Sequence, residues 1–142
     1  MTDSSAIIRW NQRELADQLA TDLGVDDPKL GRWINGRIVG LLASASAGST
    51  TDVAIGVSAI KAGTSTPEHS HIAEEVAIII SGSGTIHIDG DSVSVSEGDV
   101  VFNPSMSVHR TEAAPDSPLM VLWVYSRSDS ALRWLEENPV EG

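Results

Sequence analysis

From Trp33 onward the chain is a succession of short apolar runs broken by Gly, Pro, Asp and Ser clusters. WINGRIVGLLAS, DVAIGVSAIKAG, EEVAIIISG, GTIHIDG, DSVSVSEGD, VVFNP, SVHRTEA and PLMVLWVYS each have strand length, and no helical period separates them. Strands at that spacing predict an all-β sandwich or barrel. IHIDGDSVSVS alternates on both sides of Asp89-Gly90-Asp91, which predicts a hairpin. Before the strands, Asn11 to Leu23 predicts a helix: Asn11 caps it, Glu14 falls at the capping-box position, and Leu15, Leu19 and Leu23 form a stripe that ends at Gly24. After them, SDSALRWLEENP predicts a short helix stopped by Pro139. The pattern thus divides the chain into a helical extension over 1–32, a barrel over 33–127 and a short helix with a tail over 128–142.

With 142 residues the chain is expected to form one domain around one core. A formal net charge of −11 disfavours phosphate backbones and anionic lipid, so neither nucleic acid nor a membrane is the expected partner. The absence of cysteine removes disulfides and thiolate metal sites together. The first residues, MTDSSAIIRWNQRE, lack a basic region followed by an apolar core, and no apolar run has the length of a membrane span. A cytoplasmic protein is the expectation.

The chain has four histidines, and two of them, His69 and His71, stand one residue apart in GTSTPEHSHIAEEVAIIISG. On a strand, residues two apart share a face, so these imidazoles point the same way and Ser70 points the other. Glu75 has the same parity, but a straight strand would carry it about 13 Å past His71 at roughly 3.3 Å per residue. Ligands of one ion must come within about 2.0–2.2 Å of it. The chain is therefore expected to reverse near Ile72-Ala73-Glu74, bringing Glu75 beside the histidines and leaving Glu74 facing solvent. A buried carboxylate needs a positive partner, and Gly63–Gly82 contains neither Lys nor Arg. A divalent cation would serve. GDVVFNPSMSVH, Gly98 to His109, adds a turn, a short strand, a Pro-containing turn and a third histidine that a hairpin could deliver to the same interior.

These two segments resemble the motifs of a single-domain cupin. Gly63, His69, His71, Glu75 and Gly82 match the first motif throughout, and Gly98, Pro104 and His109 match the second. Met106 stands where that motif has its turn glycine, and Ala113 where it has asparagine. A methionine there implies a turn that avoids positive φ. The resemblance covers about residues 33 to 127 and implies a jelly-roll barrel of roughly six to eight strands with short flanking helices. It also implies a divalent metal held by His69, His71, Glu75 and His109, with Glu75 the residue on which the chemistry depends. Iron or manganese comes first, then nickel, cobalt, copper or zinc.

Four protein ligands with open positions suit an enzyme, and the cupin resemblance implies a range from dioxygenases to lyases, isomerases, polyketide cyclases and binding modules. The expected cavity is mainly apolar, drawn from Ile79, Val101 or Phe102, Met106, Trp123 and Tyr125. It suits a small, weakly polar molecule, and oxygenation or cleavage of an enol, diketone or phenol is the first reading. A cyclase, lyase or isomerase using the metal as a Lewis acid, or a ligand-binding module, is the alternative. The residues after Glu75 offer no tyrosine base, and Tyr125 is the single tyrosine. His87, Met106 and Tyr125 are the candidate substrate contacts, with solvent-facing His87 the commoner outcome for its strand face. Trp10, Trp33, Trp123 and Trp134 are read as core or dimer contacts. A homodimer is expected, with the N-terminal stripe and the strand at Trp33 covering a sheet edge.

Overall fold

The computed structural model describes residues 52–127, together with the backbone of two preceding strands at 32–34 and 37–43. The helices expected at Asn11–Leu23 and beyond Ser128, together with Trp10, Trp134 and the side chain of Trp33, lie outside the described residues. Among the described residues no helix is long and apolar enough to cross a membrane.

Among the described residues nine strands follow in order: β1 (Arg32–Ile34), β2 (Arg37–Ala43), β3 (Ala54–Ile60), β4 (Glu75–Ser81), β5 (Ser83–Ile88), β6 (Asp91–Ser96), β7 (Val100–Asn103), β8 (His109–Ala113) and β9 (Leu119–Tyr125). They form a six-stranded antiparallel sheet, β1-β2-β3-β9-β4-β7, and a three-stranded sheet, β6-β5-β8. This is the all-β fold that the pattern predicts, in the jelly-roll form that the motif resemblance implies, with one strand more than the eight runs. The extra strand arises because WINGRIVGLLAS folds back on itself. Ile34 pairs with Arg37, leaving only Asn35-Gly36 between the strands. An Asn-Gly pair flanked by apolar residues is the strongest short-range hairpin signal.

Alternation along the strands sends one set of residues inward. Ile60, Ala77, Ile79, Ile86, Val95, Ala113, Leu119 and Val121 form a buried cluster that fills one end of the interior. Toward the other end the same faces become polar. On β3 the inward series runs from Ile60 to Ser58 and Gly56, and on β9 from Leu119 and Val121 to Trp123 and Tyr125. The apolar end supplies burial, and the polar end is left for chemistry.

Turns set this register. Gly82 joins β4 to β5 at φ +86, and a Cβ there would overlap the Pro118 carbonyl oxygen, so only glycine fits. Met106 corrects an expectation, since it adopts φ +65 rather than avoiding the left-handed region. Neighbouring hydrogen bonds impose this. Met106 N–H donates to the His71 carbonyl at 2.8 Å, and Ser107 donates to the Pro104 carbonyl through both N–H at 3.0 Å and Oγ at 2.7 Å. Met106 is 55% exposed.

Candidate metal centre

Residues 63–71 run alongside β8 without forming a regular strand. Ser65 bridges Glu112 and His69 bridges His109, with reciprocal His69–His109 main-chain hydrogen bonds of 3.0 and 2.9 Å. Four residues on one side span three on the other, an extra residue of the kind a bulge absorbs, with Pro67 inside it. After His71 the chain reverses. Glu74 is exposed, and Glu75 opens β4 with its side chain turned inward and buried. The reversal expected near Ile72-Ala73-Glu74 is therefore where the chain turns.

The three histidines then meet. Their ligating nitrogens lie within 4.8 Å of one another, close enough that one metal ion could be held among them. The rings of His69 and His109 are 4.4 Å apart between centroids, and those of His71 and His109 4.9 Å. Glu75 Oε1 lies 3.2 Å from His71 Nε2 and 3.3 Å from His109 Nε2.

The opposite ring nitrogens are fixed in a common way. Nδ1 of His69 faces the Pro67 carbonyl at 2.7 Å, that of His71 the Ala73 carbonyl at 2.9 Å, and that of His109 the Ser107 carbonyl at 3.0 Å. A carbonyl only accepts, so each Nδ1 carries the proton and donates it. In neutral imidazoles this turns the Nε2 lone pairs toward one another and toward Glu75. Such an arrangement repels itself unless a positive charge sits among the groups. Among the described residues His109 Nε2 is buried with no hydrogen-bond partner, and its approach to Glu75 is close but not aligned as a hydrogen bond. Second-atom hydrogen bonds of this kind are how metal-binding histidines are oriented. The residues fit a divalent cation.

Glu75 is the anion of the set. Burial, the largest single influence, pushes its carboxyl upward. The close polar contacts and charge of His109 and His71 together outweigh burial and hold it at about 2 against an ordinary 4.5. It is ionised at any physiological pH.

A cavity of about 30 Å³ opens beside these groups, lined in part by His69, Glu75 and His109. Its other walls are Ser58, Thr66, Thr111 and Tyr125 on the polar side, and Ile60, Val121 and Trp123 on the apolar side. Tyr125 is buried and stacks on His71 with centroids 4.6 Å apart. The lining differs from the apolar set expected from sequence. Ile79 belongs to the core cluster, Val101 packs against that cluster, and Phe102 and Met106 are 52% and 55% exposed. Met106 and His87 are not among the lining residues. On β5, Ile86 faces the core and His87 the outside, where Nε2 meets Glu112 Oε1 at 2.9 Å and Nδ1 meets Ser92 Oγ at 2.8 Å. That contact with His87 holds the Glu112 carboxyl below its usual range.

Sequence reasoning missed the hydroxyls of Ser58, Thr66 and Thr111. Ser58 shares parity with Ile60 in an otherwise apolar run, a polar interruption that points inward and was legible. Thr66 and Thr111 become neighbours only through pairing, where Thr111 N–H donates to Thr66 Oγ1 at 2.9 Å.

Residues 56–125 match the family model described as Cupin domain. A cupin protein from Bacteroides fragilis is similar at 31% identity and TM-score 0.53, over 58% of this chain and 71% of that one. The DMSP lyase DddQ of Ruegeria pomeroyi is similar at 33% identity and TM-score 0.52, over 56% of this chain and 40% of that one. An RmlC-like cupin from Shewanella frigidimarina shares the fold at TM-score 0.64 and 15% identity, over 75% of this chain and 90% of that one. What the two motifs suggested, the barrel and its relatives establish: the chain belongs to the cupin superfamily.

Proposed function

We propose that this chain is a metal-dependent enzyme whose divalent ion is held by His69, His71, His109 and Glu75, and that it oxygenates or cleaves a small enol, diketone or phenol. One observation carries the reading: three imidazoles locked by main-chain carbonyls converge with one ionised carboxylate, and His69, His109 and Glu75 of that set line a cavity. A structural ion is closed off by its ligands, whereas here His69, Glu75 and His109 also face space for another molecule. Iron or manganese is the ion we favour, supplying Lewis acidity and one-electron chemistry when bound.

The chain's own residues supply position and exclusion. Glu75 contributes negative charge beside the imidazoles. Ser58, Thr66, Thr111 and Tyr125 offer hydroxyl groups at the cavity wall, and Ile60, Val121 and Trp123 keep the other side apolar. Among the described residues none that lines the cavity is Lys or Arg, so a phosphate or dicarboxylate would find no side-chain cation among them. That supports a neutral or weakly polar substrate.

A second reading has its own support. Lyase or cyclase chemistry needs a base near the ion, and Tyr125 brings a phenol against His71. The lyase from Ruegeria pomeroyi lends it weight among the similar proteins. The test is metal analysis of protein purified without a histidine tag, followed by oxygen uptake with candidate phenols and diketones. Iron or manganese with oxygen consumption supports the first reading. Zinc with no oxygen uptake overturns it in favour of Lewis-acid chemistry, and protein without metal overturns both.

A further inference from the structure

We propose that Trp123 sets the size of the molecule the site accepts, with Gly56 and Ser58 holding its indole in the cavity. This rests on the metal centre proposed above and narrows its substrates to open-chain enols and diketones, leaving out the phenols. Trp123 lies directly opposite Gly56 in the β3–β9 pairing. A Cβ at Gly56 would overlap the six-membered ring of the indole, so the glycine provides the bed on which the ring lies. The far end is tied as well, since Trp123 Nε1 donates to Ser58 Oγ at 3.0 Å. The near face stacks on Tyr125 with centroids 4.7 Å apart and planes inclined by 30°, and Tyr125 in turn stacks on His71.

An indole held on three sides is a fixed wall rather than a movable one. It is 4% exposed and borders a cavity of about 30 Å³. Holding one water takes on the order of 10–15 Å³ of such space, so there is room for about two. Beside the metal, the site therefore accommodates a ligand's coordinating head but has no room for a ring on the Trp123 side. Reducing Trp123 to alanine would open space on the order of 150 Å³, the size of apolar cavity that takes up benzene. Among the described lining residues no other side chain is as large, so truncating any other would change the volume less.

The test uses the full chain loaded with Co(II) and follows the cobalt d–d absorption during titration with formate, acetate and benzoate. These share one coordinating head and differ in bulk. The wild type is expected to bind formate and acetate and to bind benzoate at least about tenfold more weakly. Trp123→Ala is expected to tighten benzoate by about tenfold or more while leaving formate within about twofold. Trp123→Phe, which keeps an aromatic wall and a packed sheet, should fall between and serves if the alanine variant does not fold. Equal benzoate affinity in the wild type and in both folded variants overturns the role of Trp123 while leaving the metal centre intact. Failure of the wild type to take up Co(II) overturns the metal centre, and this inference with it.

Discussion

Replacing Met106 by glycine should make the protein more stable. Met106 sits at φ +65, a conformation that costs a residue with a Cβ about 1–2 kcal/mol. Glycine removes that cost but frees the unfolded chain, returning about 0.5–1 kcal/mol. The side chain is 55% exposed, so little burial is lost with it. The net expectation is a gain of about 0.5–1 kcal/mol, or a rise in Tm of about 2–4 °C for a chain of this size. Urea and thermal unfolding of metal-free protein would measure it. Met106→Ala is the control, because it keeps the Cβ and the strain while losing the same exposed side chain. It should gain nothing. A glycine variant no more stable than the alanine variant would refute the argument. It would show that the hydrogen bonds from Met106 and Ser107 hold this turn without strain.

Glu75→Gln should reduce metal content measured by mass spectrometry of the purified protein, whereas Glu74→Gln, exposed and facing away, should leave it unchanged. The reverse result would place the wrong glutamate at the centre. In metal-free protein Glu75 should also govern acid stability. Its depressed carboxyl stabilises the fold above pH 4.5, and that contribution is lost as pH falls from 4.5 to about 2. The loss should be about 3 kcal/mol. Glu75→Gln should flatten denaturant-derived stability over that range, and an unchanged slope would count against an ionised, histidine-paired carboxylate. Light scattering tests the homodimer we propose, with a mass near twice 15.0 kDa expected and a species of 15.0 kDa at micromolar concentration refuting it.

Strand alternation made most of the barrel readable, because inward and outward residues differ in polarity wherever one face is buried. Ile86 and His87 sorted themselves that way. The histidines were readable for a related reason, since shared parity and one required reversal left few ways to place Glu75. What escaped depended on partners distant in the chain. Thr66 reaches Thr111 across 45 residues and Trp123 reaches Ser58 across 65, and neither local pattern reveals which strand lies alongside. Met106 misled because residue preference was allowed to decide a conformation that hydrogen bonds to His71 and Pro104 impose. The Ile34–Arg37 pairing was a plain omission, signalled by Asn35-Gly36.

Each imidazole is aimed by the carbonyl of a residue two positions away in its own segment: Pro67 for His69, Ala73 for His71 and Ser107 for His109. Every residue of any type carries that carbonyl, so replacing these three side chains leaves the acceptors in place. A centre aimed by aspartates or glutamines would offer three more positions at which one point mutation misdirects a ligand. Here a side chain takes part at one ring alone, where Ser107 Oγ lies 3.5 Å from His109 Nδ1, and elsewhere the course of the backbone does the aiming. Mutational damage to ligand orientation should therefore come mainly from insertions, deletions and strained turns, with added bulk at the buried Ala73 and loss of the Ser107 hydroxyl as the point changes that reach it.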